Sequence, residues 1–200
     1  MILGITGTTG SGKTTLLKAF ESIGGVIFDC DQIYHELLAA DKTMLCAIEN
    51  RFPGTVKNNC LDRKNLASIV FSDPRALLDL NAITHGAVKA EVLRRLETIP
   101  ADVPVAIDAI ELFDGGLAEI CDVTVAVTAP EEMRVSRLIA RDHLTENQAL
   151  ARIHAQKPES YFREKCDYIL ENTGSAEDFQ EKCLVFFKSL TIIKEKPKGE

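Results

Sequence analysis

The sequence predicts an α/β fold of three layers, α/β/α, with about five parallel strands and two helical insertions. Three observations carry that expectation. Short apolar runs alternate with helical patterns, which requires crossover connections and a parallel sheet covered on both faces. A glycine-rich turn, Gly7-Thr8-Thr9-Gly10-Ser11-Gly12-Lys13-Thr14, follows the first apolar run and opens the first helix. The connection between the second and third runs spans roughly seventy residues without a convincing strand, where a crossover needs only one helix.

The runs at 2–6, 26–28, 103–108, 123–127 and 168–170 carry β-branched or aromatic residues and lead into turn or helix signals, so they are taken as strands. The first helix covers 15–20. Helical periodicity then recurs at 32–40, 43–52, 63–71 and 74–98. In the last of these, Leu77, Leu80, Ile83, Ala87 and Val88 fall at helical spacing, and Pro74 sits where a first turn tolerates it. The stretch 31–99 is therefore expected to be a helical insert beside the ligand edge of the sheet; a layer that merely thickens the core is the alternative.

A second insertion covers about 130–165. Pro130, Glu131 and Glu132 suit a first helical turn, and that helix ends near Arg141. Thr145-Glu146-Asn147-Gln148 is a capping box opening the next helix, which Pro158 stops. The result is a helical hairpin between strands four and five. The core of this single domain then comprises about 1–30, 100–130 and 165–190, and the mixed-charge tail 194–200 is expected to fray.

Two hundred residues, 46% hydrophobic and 26% charged, describe an ordinary soluble globule. No apolar run approaches a membrane span, and nothing at the N-terminus marks the chain for export. Six cysteines (30, 46, 60, 121, 166 and 183) lie far apart without a C-x-x-C, which reads as reduced thiols of a cytoplasmic protein. A net charge of −7 with no basic run of five disfavours nucleic acid as a partner. The expected partners are small molecules, and the expected state is a monomer or weak homo-oligomer.

The glycine-rich turn matches G-x-x-x-x-G-K-[ST] in the strand-then-helix context that a P-loop NTPase requires. Its backbone amides and the positive end of the helix would hold phosphates, which makes Thr8, Thr9, Gly10, Ser11, Gly12, Lys13, Thr14 and Thr15 the candidate triphosphate cradle. Lys13 would reach the β- and γ-phosphates, and the Thr14 hydroxyl would ligate Mg²⁺. An acidic protein must gather cations locally to bind a polyphosphate. Arg134, Arg137 and Arg141 recur as one helical stripe, and only Glu131 stands at partner spacing to any of them. A mobile hairpin carrying such arginines is suited to closing over phosphates.

Asp29-Cys30-Asp31 follows the second strand, and Asp31 is the candidate base or metal ligand; the alternative is that Asp31 caps a helix starting at Gln32. Asp108 ends the third strand, where an acid can hold Mg²⁺ through water or simply cap a turn. Glu111 and Asp114 lie just beyond, available to substrate or metal. Arg63 and His85 lie in the insert with no independent signal of function.

The order of motifs resembles the dephospho-CoA kinase family: G-T-T-G-S-G-K-T, V-I-F-D-C-D-Q-I, L-D-R-K-N-L, I-V-F-S-D-P, L-N-A-I-T-H, R-L-I-A-R-D, A-R-I-x-x-Q and D-Y-I-L-E-N-T-G, over nearly the whole chain. The resemblance implies ATP-dependent phosphorylation of the ribose 3′-hydroxyl of dephospho-CoA, with Lys13, Asp31 and Arg141 catalytic and Asp31 as the base. It makes the insert, with Arg63 and His85, the acceptor-binding region. It makes 130–165 the lid, with Arg137 and Arg141 near the phosphates and Asn172-Thr173-Gly174 near the adenine. Two departures stand out: Gly86 follows His85 where the family usually has proline, and Ile110-Glu111-Leu112-Phe113-Asp114 replaces P-L-L-F-E. A nucleoside or nucleoside monophosphate is the alternative acceptor. A guanine-nucleotide switch would need an N-K-x-D signature, which the chain lacks.

Overall fold

The structure, a computed structural model, describes residues 1–195, with side chains through Leu190. The expected tail at 194–200 lies, from residue 196 on, outside the described residues. The chain divides into two compact units, one comprising residues 1–27, 101–110 and 120 onward, the other 28–100 and 111–119.

In the first unit, β1 (Ile2–Gly7) leads into α1 (Lys13–Ser22), and the chain then enters β2 (Val26–Asp29). Next come the elements of the second unit: α2 (Cys30–Ala40), α3 (Lys42–Arg51), β3 (Val56–Lys57), β4 (Cys60–Leu61), α4 (Arg63–Val70) and α5 (Pro74–Leu96). The first unit resumes with β5 (Val105–Asp108), β6 (Val123–Thr128), α6 (Glu131–Asp142), α7 (Glu146–His154), α8 (Glu159–Lys165), β7 (Tyr168–Glu171) and α9 (Ala176–Glu195).

Five strands form one sheet in the order β2-β5-β1-β6-β7. β1 runs parallel to β5 with Ile5 beside Asp108, and parallel to β6 with Gly7 beside Val127. Central position explains composition: β1, β5 and β6 are buried along nearly their whole length, whereas the outer β2 and β7 each expose residues. Leu16, Ala19 and Phe20 of α1 and Phe179, Cys183, Phe186 and Phe187 of α9 pack with Leu3, Ile5, Val125 and Val127 of the sheet. The Phe20 and Phe187 rings meet at 5.2 Å in a tilted pair. With α8 packed on β6 and β7, the architecture is the three-layer α/β/α sandwich.

α9 had no counterpart in the sequence reading. Its start is nonetheless written as a capping box, Ser175 Oγ accepting from the Asp178 amide (3.1 Å) while Asp178 accepts from Ser175. The capping box at Thr145 is present as expected, but α7 already ends at His154, and Pro158 instead stands at the N-cap of a third helix, α8. α6 and α7 share a small core of Leu138, Ala149 and Ile153.

The second unit is helical around Leu38, Met44, Leu45, Ile48, Phe52, Leu66, Val70 and Ala76. Aspartates punctuate it. Asp41, Asp62 and Asp73 each accept a backbone N–H two or three residues on, at 2.8, 3.0 and 2.8 Å, and so start α3, α4 and α5. The long connection does contain strands: β3 and β4 form an antiparallel hairpin through Asn58 and Asn59, both at positive φ (53° and 59°), the geometry of a type I′ turn. Two-residue strands are too short to leave a period-two signal, which is why alternation did not reveal them.

All six cysteines are thiols; Cys46 and Cys60 are exposed, Cys30 and Cys183 buried. Burial pushes the Cys121 thiol up to about 12, with Asp122 and Asp167 adding to it, and the Cys166 and Cys183 thiols to about 11.

Gly86 sits inside α5, exposed, and a Cβ there would meet no atom within 4 Å. Glycine inside a helix costs about 1 kcal/mol relative to alanine. Gly86→Ala is therefore expected to raise the melting temperature by about 1–4 °C, measured by calorimetry; a lower value would contradict this account of the helix.

Candidate active site

The glycine-rich loop is built by what surrounds it. Gly10 has φ +75° and Gly12 φ +104°, conformations that side-chain-bearing residues rarely adopt. A Cβ on Gly10 would lie 3.0 Å from the Arg134 carbonyl, and one on Gly12 would lie 2.3 Å from the Asn172 amide nitrogen. Both glycines are thus fixed by close approach as well as by torsion.

The loop carbonyls are tied down on one side. Arg134 Nε donates to the Thr9 carbonyl (2.9 Å), and Arg137 donates to the carbonyls of Gly10 (3.2 Å) and Ser11 (3.3 Å). Asn172 Nδ2 donates to the Ser11 carbonyl (2.7 Å), while its Oδ1 accepts from Arg137 (3.2 Å). Asn172 is 3% exposed, so its placement supports a role in positioning the loop. Gln156, just past α7, accepts from the Thr9 amide at 2.7 Å. Gly12, the N-cap of α1, supplies no side-chain oxygen, so the first amides of that helix have no side-chain cap.

A cleft of about 600 Å³ opens onto this loop. It is lined by residues 7–14 together with Ile110, Arg137, Ala140, Arg141, Arg152 and Gln156. Four of those side chains are cations (Lys13, Arg137, Arg141, Arg152) and none is a carboxylate, in a chain of net charge −7. The Thr8 and Ser11 hydroxyls are buried there without a hydrogen-bond partner. Uncapped helix amides, orphaned hydroxyls and fixed cations together make a site for a polyanion.

Asp108 is the counter-ion of Lys13: its Oδ1 lies 2.5 Å from Lys13 Nζ, with the two side chains 9% and 22% exposed. The sequence offers a metal or a capping role for Asp108, and the ion pair stands beside these. Thr14 lines the cleft with an exposed side chain, and Thr15 is half-buried behind it.

The arginine stripe divides in two. Arg134 is buried and holds loop backbone; burial pulls its pKa down, and Glu131 and Glu159 oppose that. Arg141, 58% exposed, is held by both oxygens of Asp142 at 2.8 and 2.9 Å, and Asp142 also accepts from Arg152 at 2.7 Å. The sequence reading sought acids only at helical spacing and so passed over this next-door partner. Hydrogen bonding to Arg141 holds the Asp142 carboxyl below its ordinary range, with Arg152 adding to the effect. Arg152 and Gln156 belong to the A-R-I-x-x-Q motif and both line the cleft, Arg152 from α7 and Gln156 from just past its end.

The second unit holds Asp31, Arg63 and His85. The helix after β2 begins at Cys30, and Asp29 caps it, accepting from the amides of Asp31 (2.9 Å) and Gln32 (3.1 Å). The cap is therefore Asp29, which corrects the reading of Asp31 as the cap. Asp31 stands in the first turn of α2 with its side chain exposed. Gln32 donates to Glu36 (2.8 Å), and Arg95 on α5 bridges Glu36 and Glu91, which fixes α2 against α5. Arg63 opens α4, exposed, and its charge works against the burial that raises the Tyr34 hydroxyl. His85 on α5 faces Glu111 at 2.8 Å.

A family model described as dephospho-CoA kinase matches residues 1–178. A dephospho-CoA kinase of Thermus thermophilus is 36% identical over 191 residues, which cover 96% of this chain and 92% of that protein. Among solved structures, dephospho-CoA kinase from Campylobacter jejuni is similar with a TM-score of 0.67 at 26% identity, covering 94% of this chain and 96% of that one. Shikimate kinase from Bacteroides thetaiotaomicron shares the fold, with a TM-score of 0.55 at 18% identity over 96% of this chain and 98% of that one.

Replacing Asn172 by leucine keeps its bulk but strands the Ser11 carbonyl and Arg137. The variant is expected to lose about 1–3 kcal/mol in urea unfolding. Its nucleotide affinity, followed by calorimetric titration, should fall by roughly tenfold.

Proposed function

The chain belongs to the dephospho-CoA kinase family, and on that premise we propose that it transfers the γ-phosphoryl group of ATP to the ribose 3′-hydroxyl of dephospho-CoA, giving coenzyme A. The observation that carries the donor half is the cleft: four cations and no carboxylate around an uncapped, glycine-shaped helix start. Reduced thiols are consistent with a cytoplasmic enzyme, and among the described residues no helix is long and apolar enough to cross a membrane.

The backbone amides of Gly10–Thr14 and the Lys13 ammonium would bind the β- and γ-phosphates, with the Thr8 and Ser11 hydroxyls as further donors. Arg137 and Arg141 would face the charge that spreads over the transferred group, a task suited to a planar, permanently charged fork. Mg²⁺ keeps most of its water and needs only one or two protein oxygens, so Thr14 with Asp108 is an adequate donor set. Among the described residues no cluster of three or more His, Cys, Asp or Glu competes for such an ion. When bound, it would neutralise charge on the phosphate oxygens.

Asp31 would accept the proton of the acceptor hydroxyl. Two facts support this over a structural role: Asp29 does the capping, and the Asp31 carboxylate is exposed at the start of a helix fixed by the Glu36–Arg95–Glu91 network. The second unit, with Arg63 on its surface, would bind the acceptor. Asn172 would serve the donor by shaping the loop it holds.

Incubation with Mg-ATP and dephospho-CoA is expected to yield coenzyme A by mass spectrometry, in preference to products from nucleosides or nucleoside monophosphates; a preferred nucleoside acceptor would overturn the reading. Asp31→Asn should reduce kcat by about 100-fold or more with ATP affinity kept, and unchanged turnover would remove the base assignment. Arg141→Ala should slow transfer while shifting the melting temperature little, because an exposed ion pair contributes only about 0–1 kcal/mol.

A further inference from the structure

His85, Glu111 and Asp114 are distant in sequence and meet in the second unit. The imidazole Nε2 lies 2.8 Å from Glu111 Oε2, with the histidine side chain 25% exposed. The backbone of Asp114 makes a further hydrogen bond to the ring, one that favours the protonated form. One helical turn along α5, Lys89 pairs with Glu119 at 2.8 Å. Between these two points the segment 111–119 folds on itself, Gly115 donating to the Glu111 carbonyl (2.8 Å) and Leu117 to the Leu112 carbonyl (3.0 Å). A Cβ on Gly115 would stand 3.7 Å from the imidazole, so the turn lies directly against the ring.

We propose that His85 is a positioning residue: through Glu111 and Asp114 it fastens the 111–119 segment to α5, and it does not itself touch the acceptor. Nε2 is paired with Glu111 and the turn at Gly115 lies against the ring, so a direct contact with substrate through Nε2 would have to break that pair. The clasp deepens the proposed function, and its effect on acceptor affinity rests on that reading of the second unit, but the fastening itself can be measured without any substrate.

The sign of the pH dependence follows from the partners. The charged groups facing the ring are Glu111 and Asp114; the Glu111 hydrogen bond is the largest influence and raises the imidazole pKa above its ordinary value, partly offset by burial. Lys89, on the same helix, is neutralised by Glu119. A histidine whose pKa is raised by folding contributes in full below about 6.5 and loses that contribution as pH rises through the folded-state value.

The test compares wild type with Glu111→Gln, a change of charge on a half-exposed side chain. Amide hydrogen exchange over 111–119, without substrates, should speed up roughly threefold to tenfold in the variant. The His85 ring signal in NMR should titrate at lower pH. The KM for dephospho-CoA should rise severalfold, and should begin to rise at lower pH than in wild type, with the KM for ATP and kcat unchanged. Unaltered exchange and an unaltered titration in Glu111→Gln would overturn the proposal. So would a His85→Gln variant that loses acceptor affinity while Glu111→Gln keeps it, since that would make His85 a direct contact. If exchange and titration respond as expected but wild type makes no coenzyme A, the clasp stands and the acceptor reading falls.

Discussion

The phosphate cradle depends on how its carbonyls are held. Arg134, Arg137 and Asn172 bind the oxygens of Thr9, Gly10 and Ser11 from one side. A peptide plane whose oxygen is fixed has its N–H fixed in the opposite direction. The loop therefore turns its donors toward the cleft before any ligand arrives, and the reorganisation a flexible turn would undergo on binding has been met during folding. Glycine is needed at 10 and 12 for the same reason: any side chain there would collide with the groups that hold the carbonyls.

This arrangement also explains where the charge of an acidic chain goes. The cations are not spread evenly. Four converge on one cleft, and their carboxylate partners stand behind them: Asp108 behind Lys13, Asp142 between Arg141 and Arg152. Elsewhere several basic residues are tied into ion pairs, as in the Glu36–Arg95–Glu91–Arg94 network on α2 and α5, which holds Glu91 down at about 2. A field of that shape attracts a polyanion to one place while the rest of the surface repels it.

Much of this was legible in the sequence, and the failures share a cause. The strands, the P-loop and the capping box at Thr145 are local signals, written in a few adjacent residues, and they were found. The β3–β4 hairpin escaped because two residues per strand are fewer than one period of alternation needs. The alternative of an Asp31 cap fails because the helix starts at Cys30, two residues before the expected Gln32, with Asp29 as its cap. What sequence could not supply were contacts across the fold: Arg134 and Gln156 on the loop backbone, Asn172 beneath Ser11, and His85 with Glu111. Each joins residues between 26 and 161 positions apart, and residue type alone does not tell whether an arginine will meet a phosphate or a peptide oxygen.

The cysteines carry a practical corollary. Cys121, Cys166 and Cys183 are thiols whose surroundings keep them protonated far above neutrality, and Cys30 is buried. The thiolate is the species that attacks alkylating reagents. That leaves Cys46 and Cys60, both exposed and both in the 28–100 segment, as the places where maleimide or iodoacetamide would act first. The native chain thus carries fluorophore attachment points confined to one of its two units, with the unit that holds the glycine-rich loop left unlabelled.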